Sequence, residues 1–252
     1  MVEDDEIYPR RREKKRQMFD SSEARKAVEN VLDDDTMDAL LKLADRDIID
    51  RMHGIIESGK ESAILLAETG EGLAAVKIYM KRAGAFREMH QYLRGDKRFR
   101  NVKKDRKAVV DAWAKKEFKN LEKASKVLRC PKVYGLQENV LVMEFVGEEF
   151  RPYPKLKEVS IENPSQALDQ VLEKIEALWR KEKLVHGDLS EYNILVEGDE
   201  LVWIDFSQGV HESHPEALQL LRRDVENVVK FFNSEGADRD VEKALNSVIP
   251  GR

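Results

Sequence analysis

Leu184-Val185-His186-Gly187-Asp188-Leu189-Ser190-Glu191-Tyr192-Asn193-Ile194-Leu195-Val196, followed by Leu201-Val202-Trp203-Ile204-Asp205-Phe206, is the most informative stretch of this 252-residue chain. Asn193 stands five residues after Asp188, and Asp205 twelve after Asn193, each in an apolar frame. Such groups among Val, Ile, Leu and Trp are costly to bury unless cations meet them. Ile194–Val196 and Leu201–Ile204 read as strands folded back across Gly198-Asp199. That hairpin returns Asp205 to the loop that carries Asp188 and Asn193. Asp and Asn also favour plain turns, and a bare His-Gly-Asp would mean little. The full spacing, closed by strand, turn, strand and Asp-Phe, is far more specific. It is the order in which a base and two magnesium ligands stand beside ATP in phosphoryl transfer. Asp188 is the candidate base, accepting or orienting the proton of an attacking hydroxyl, and Asn193 and Asp205 are the candidate Mg²⁺ ligands.

The totals narrow the setting. A 41% apolar share supports a core, and 37% charged residues against 7% aromatic imply a heavily solvated surface. A net charge of -5 argues against a general nucleic-acid coat. The single cysteine, Cys130, excludes an internal disulfide and fits a reducing compartment. No apolar run approaches membrane-span length, and acids rather than a signal peptide follow Met1. A cytoplasmic protein with no membrane partner is expected.

Organisation follows from periodicity. Arg10–Arg16 is a basic arm, read either as a solvated terminus or as an RNA-contacting segment. Helical signals begin at Ser22, and Met37, Leu40, Leu41, Ala44 and Ile48 form one apolar stripe capped by Asp35 or Thr36. Strands are expected at Gly54–Ile56, Ala63–Ala67 and Leu73–Tyr79, then a long helix from about Asp105 to Arg129. A hairpin of Val133–Leu136 and Val140–Phe145 turns at Glu138-Asn139. Residues 164–183 read as a helix with Leu168, Val171, Leu172, Ile175 and Leu178 on one face. A last helix opens near Pro215 and carries Leu218, Leu221, Val225, Val228, Val229 and Phe232. Strands dominate before Phe145 and helices after it. The expected plan is α+β: a charged arm with a helical extension over 1–50, a first lobe over 51–146 with an antiparallel sheet and long helix, and a reduced, mainly helical lobe over 147–252, with a cleft between the lobes.

Lys77 sits in Ala74-Ala75-Val76-Lys77-Ile78-Tyr79, a strand otherwise fit for burial. An edge-strand lysine reaching solvent is the simple reading. In the long helix, Val110, Trp113, Ala114, Phe118 and Leu121 mark a stripe that includes Glu117. A buried lysine and a buried carboxylate each need a counter-charge, so one Lys77–Glu117 pair facing ATP phosphates answers both needs. Glu117 at the stripe edge, reaching solvent, is the alternative. Ser58, Gly59, Lys60, Glu61 and Ser62 lie just before that strand and offer hydroxyls and backbone N–H groups to phosphate oxygens. With one glycine, the segment alone is an ordinary hairpin turn. Met143, Glu144 and Val146 are placed to meet adenine with backbone groups, and a plain buried strand is equally consistent. Arg94–Lys107 carries eight Lys or Arg against Asp96 and Asp105 and reads as a solvated loop or a phosphate-backbone contact. No Ser or Thr lies between Lys77 and Glu117, which excludes self-phosphorylation on such a residue there. His211, His214 and Cys130 lack metal-ligand spacing and read as structural.

Over roughly residues 50–235 the chain resembles the RIO family of atypical protein kinases. The segments that carry the resemblance are Ser58–Ser62, Ala75–Tyr79, Trp113–Leu121, Met143–Phe145, His186–Asn193, Ile204–Gln208, and His214–Ala217 through Arg222-Arg223-Asp224. Ser190-Glu191-Tyr192-Asn193 and Ser207-Gln208 look like the first branch, whereas Ser62, Gly187 and Phe206 lean toward the second. The fifty-odd residues before Gly54 look too short for the second branch's winged-helix domain, which favours the first. The resemblance implies a two-lobed kinase fold, Mg-ATP (or Mn²⁺) binding and serine/threonine phosphotransfer. It further implies ATP hydrolysis through a phosphorylated Asp205 and action on the precursor of the small ribosomal subunit, both rRNA and protein. Only 47 residues follow Asp205 and no Ala-Pro-Glu occurs, so a peptide platform is less expected than nucleotide binding. A small-molecule kinase of the aminoglycoside or choline type shares His-Gly-Asp…Asn…Asp but should carry more helix after Asp205. An RNA-binding assembly scaffold would need the basic runs and not Asp188. An inactive kinase-fold scaffold fits least, since every ATP-handling position is filled.

Overall fold

The structure, a computed structural model, describes residues 18–19, 21, 32–81, 89–90 and 92–249. The basic arm Arg10–Arg16 and the helical onset at Ser22 lie outside the described residues. The chain forms two units. The first takes the described residues up to Met89 with Lys103–Lys115 and Val133–Phe145; the second takes His90–Val102, Lys116–Lys132 and the residues from Val146 onward.

In the first unit, α1 (Asp34–Asp45) starts two or three residues earlier than the expected caps imply. Asp33 is the cap, accepting from the Thr36 backbone N–H at 2.9 Å, which leaves Asp34 and Asp35 beside the positive end of the helix. Thr36 is instead buried and accepts from Asn139 Nδ2 at 3.0 Å. Ile48 lies past the helix end, its N–H bonded to Leu43 O at 3.0 Å. Its side chain covers Gly135, where a Cβ would stand 2.9 Å from Ile48 Cδ1.

Strands β1 (Arg51–Ser58), β2 (Ser62–Thr69), β3 (Gly72–Tyr79), β4 (Val133–Gln137) and β5 (Val140–Glu144) form one antiparallel sheet in the order β1-β2-β3-β5-β4. Strand β1 is longer than its sequence pattern indicates. Register shifts at Met52/Gly54 and Ile55/Glu57 break the alternation that reveals a strand. Ala74, Val76 and Ile78 of β3 enter the same core as Leu40, Leu43, Met52, Leu65 and Val142. Lys77 therefore belongs to the opposite face of β3.

Helix α2 (Arg106–Ala124) contributes residues to both units. Asp105 caps it through the Ala108 N–H at 2.9 Å. It stops five residues short of the expected Arg129. Lys126 and Val127 close with short bonds to Lys123 O and Ala124 O, Pro131 lies ahead, and Arg129 O accepts instead from Trp203 N at 2.9 Å.

The second unit opens with the β6 (Gly147–Glu148) and β7 (Arg151–Pro152) hairpin, followed by α3 (Pro164–Glu182). Leu168, Val171, Leu172, Ile175 and Leu178 are buried on α3 as the periodicity requires, and Lys183 is its left-handed cap rather than its last residue. Two short pairings follow: β8 (Leu184–Val185) with β11 (Val210–His211), and β9 (Ile194–Glu197) with β10 (Glu200–Trp203). Helix α4 (Ala217–Ser234) buries Ala217, Leu220, Leu221, Asp224, Val225, Val228, Val229 and Phe232. That spacing excludes Leu218, which is 38% exposed, and recruits Leu220 in its place. A further helix, α5 (Val241–Val248), has no counterpart in the sequence reading. Asp240 caps it, and Ala244, Leu245 and Val248 are buried in a unit where α3, α4 and α5 pack together. No helix among the described residues is long and apolar enough to cross a membrane.

Candidate active site

The loop from His186 to Asn193 leaves β8 and enters β9, and its backbone is held at both ends. His186 is buried, its ring 4.5 Å from Phe206 and 6.1 Å from Trp203. Its Nε2 meets Ile204 O at 3.1 Å, and its Nδ1 accepts from the Asp188 N–H at 3.3 Å. These partners assign a neutral ring protonated on Nε2. Ile204 N bonds to Asn193 O at 3.0 Å, which closes the hairpin back onto the loop. The fold thus brings Asp188, Asn193 and Asp205 into one neighbourhood of the second unit.

Each of the three is partly exposed. Asn193 Nδ2 donates to Asp188 O at 2.8 Å, which turns its carboxamide oxygen away from that carbonyl. Asp188 Oδ2 accepts from Gln208 Nε2 at 3.1 Å. Asp205 adopts φ of 59°, a left-handed conformation that Asp tolerates better than most residues. Ser207 N lies 3.4 Å from its Oδ1. A carboxylate and an amide oxygen are hard donors of the kind Mg²⁺ takes, with phosphate and water completing its shell. Asn193 and Asp205 fit that ion.

Beneath the loop lies Asp224 of α4, 1% exposed. It accepts from Gly187 N at 2.7 Å and Leu189 N at 3.0 Å. Arg223 donates to Gly187 O, and Asn227 Nδ2 to Leu189 O at 3.1 Å. Burial pushes the Asp224 carboxyl up to about 7, against the two backbone N–H groups and Arg223, which favour the ion, while nearby Asp188 disfavours it.

The segment after Asp205 rests on α2. Lys116 is 0% exposed, and its Nζ donates to Ser207 O at 2.6 Å. One turn on, Asn120 Nδ2 donates to Phe206 O at 2.9 Å and Gly209 O at 2.8 Å. Asn120 Oδ1 accepts from Arg98 at 2.9 Å, and Arg98 in turn pairs with buried Asp96 at 2.6 Å. Burial, then Arg98, drives Lys116 well below the ordinary lysine value, while Asp96 and Asp205 oppose that shift. Part of the basic Arg94–Lys107 run is therefore framework rather than solvated loop: Asp96 and Phe99 are buried around a short Lys97–Phe99 turn.

In the first unit, Lys77 is 4% exposed, opposite Ile64 on β2 and Leu141 on β5, with its Nζ 5.3 Å from the Tyr79 ring. Ser58, Gly59, Lys60 and Glu61 are exposed and Ser62 half-buried in the β1–β2 turn, which Gly59 N closes onto Ser62 O at 2.8 Å. Met143 is buried and Glu144 half-buried at the end of β5. Val146 opens the second unit, where its carbonyl accepts from Tyr153 N at 3.1 Å. Glu117, 0% exposed, is on the part of α2 that belongs to the second unit. Of the residues read as structural, Cys130 Sγ bonds to Leu121 O at 3.7 Å and His211 Nδ1 meets Ser213 Oγ at 3.0 Å.

Lys116, Asn120, Asp224 and Gln208 were not among the site residues expected from sequence. Two signals pointed to the first three. Asp224 interrupts the apolar period of α4, and Lys116 with Asn120 stands at i, i+4 beside the α2 stripe. Gln208 is marked only by the Ser207-Gln208 element of the family resemblance.

Residues 63–244 match the model of the RIO domain. The chain is 46% identical over 217 residues to the RIO-type serine/threonine-protein kinase Rio1 of Haloferax volcanii, covering 85% of this chain and 74% of that one. It is 40% identical over 227 residues to the protein of the same name from Methanocaldococcus jannaschii, covering 90% and 78%. Among solved structures, a crystal structure of Rio2 kinase from Chaetomium thermophilum in an ADP/Mg²⁺–phosphoaspartate complex superposes with a TM-score of 0.62 at 21% identity, covering 84% of this chain and 66% of that one. The fold is accordingly α+β and of the two-lobed, kinase-like class.

Proposed function

The chain belongs to the RIO family, in its Rio1 branch, and from that premise we propose that it is an ATP- and Mg²⁺-dependent serine/threonine kinase that also turns over ATP through a phospho-aspartate. The observation that carries the reading is the meeting of Asp205, returned by the β9–β10 hairpin, with Asp188 and Asn193 on a loop pinned by His186 and Asp224. Asp188 is the base that accepts or orients the proton of the attacking hydroxyl. Asn193 and Asp205 hold the cation. Mg²⁺, or Mn²⁺ in its place, neutralises charge on the phosphoryl oxygens when bound. Lys77 and Glu117 are assigned to the nucleotide's phosphates, Ser58–Ser62 to a phosphate cover, and Met143, Glu144 and Val146 to the adenine edge. In the hydrolytic branch an Asp205 oxygen attacks the γ-phosphorus and the bond to the β–γ bridging oxygen breaks. ADP leaves, and water then releases phosphate from the acyl phosphate.

By the family relation, the physiological partner is the precursor of the small ribosomal subunit, and the site of action is the cytoplasm. Incubation with γ-labelled ATP and Mg²⁺ tests the chemistry in wild type and Asp205→Asn. The expected outcome is protein label that hydroxylamine removes, lost in the variant together with phosphate release by about 100-fold or more. Acid-stable label on Ser or Thr alone would leave the kinase and remove the phospho-aspartate. Neither transfer nor hydrolysis in wild type would sink the proposal.

A further inference from the structure

We propose that Gln208, locked by Tyr92, is the positioning residue that orients the Asp188 carboxylate; this rests on Asp188 being the base proposed above. Tyr92 and Gln208 are 116 residues apart, yet the Tyr92 hydroxyl lies 3.0 Å from Gln208 Oε1. Gln208 Nε2 lies 3.1 Å from Asp188 Oδ2. Chemistry fixes the order of these groups. An ionised carboxylate only accepts, so it must face the amide NH₂; the amide oxygen then turns to Tyr92, whose hydroxyl donates. The carboxylate thereby selects one of the two amide orientations, and the Tyr92 hydroxyl, able to donate or accept, donates to the amide oxygen and locks it there.

The backbone around Gln208 has little slack. Lys116 grips Ser207 O on one side, and Asn120 grips Phe206 O and Gly209 O across it. Tyr92 is placed by the same helix, its ring centroid 5.7 Å from Lys116 Nζ. A Cβ on Gly209 would stand 2.8 Å from Asn120 Nδ2, and one on Gly187, at φ of 80°, would stand 3.0 Å from Gln208 O. The Asp188 loop and the Gln208 segment thus approach at backbone distance. Gln208 holds Oδ2, and the carboxylate so oriented meets the attacking hydroxyl, or the water that releases phosphate. Without the amide, the carboxylate loses one of the bonds that fix its χ2 and spends less time in reacting geometry.

The test is steady-state turnover of ATP by the full chain with Mg²⁺, for Gln208→Ala, Gln208→Glu, Tyr92→Phe and the Tyr92→Phe/Gln208→Ala double variant. Gln208→Ala is expected to lower kcat by about 10- to 100-fold with KM for ATP held within about twofold, since positioning and not nucleotide binding is lost. Gln208→Glu, equal in size but facing carboxylate to carboxylate, should fall at least as far. Tyr92→Phe, which keeps the ring packing and removes one oxygen, should lose about 3- to 10-fold in kcat. It should lose nothing more in the Gln208→Ala background, because a relay already cut at Gln208 leaves the hydroxyl without effect. Wild-type kcat in Gln208→Ala, or two losses that multiply in the double variant, would overturn the relay and leave the Asp188 assignment standing. A wild type that neither transfers nor hydrolyses would overturn both.

Discussion

Asp224 shows what one buried carboxyl contributes to a loop it never leaves. Its two oxygens collect the N–H groups of Gly187 and Leu189, so the backbone on both sides of Asp188 hangs from a single side chain. Burial raises its folded-state pKa to about 7 from an ordinary 3.8. The folded protein therefore holds this proton where the unfolded chain has released it, and the group's contribution to stability declines as pH rises from about 4 to about 7. An amide does not titrate. Denaturant midpoints measured between pH 4 and 8 should fall with pH more steeply in wild type than in Asp224→Asn, by on the order of a few kcal/mol across the window. Parallel curves for the two proteins would contradict the raised pKa. Asp224 was legible as an oddity, an acid in an apolar stripe, but its partners were not, because Gly187 and Leu189 lie more than thirty residues away.

At the scale of elements, the first unit is tied across three pieces of secondary structure by Glu138 in the β4–β5 turn. Lys42 of α1 donates to its Oε1 at 2.9 Å, Lys107 of α2 to its Oε2. Those two hydrogen bonds hold its pKa down at about 2. The stabilisation is present above pH 4.5 and fades as the pH falls toward 2. The pair partners are well exposed, so solvent screening keeps the contribution to about 1 kcal/mol or less. Glu138→Gln should lower the unfolding free energy by about that much at pH 7 in low salt, and the difference should shrink in 1 M salt. The elements themselves were mostly legible. Helix α3 and its five buried positions follow directly from a clean 3.6-residue period. Two departures share one cause, local pattern overruled by pairing: bulges hide the start of β1, and Trp203 takes the carbonyl of Arg129; α5, at eight residues, is too short for its period to show.

At the scale of the molecule, nucleotide binding and stability are linked. A ligand at 100 times its Kd adds about 2.7 kcal/mol to the folded state. Mg-ATP at that level should raise Tm by about 5–11 °C, and excess EDTA should remove most of the rise while leaving the ligand-free Tm unchanged. An ATP-dependent rise untouched by EDTA would argue against a metal held by Asn193 and Asp205. The sequence alone determined the order Asp188, Asn193, Asp205, the α+β sequence of elements and the RIO resemblance. Each is written in short spacings that covalent geometry converts directly into a turn, a strand or a helix face. Tertiary structure alone decided which polar side chains stand under that loop: Lys116 and Asn120 on the carbonyls after Asp205, Asp224 on the N–H groups around Asp188, Tyr92 on Gln208. Those partners lie 35 to 116 residues apart. No local periodicity encodes such a pairing; it exists only once the core has closed and each buried donor must take the acceptor within its reach.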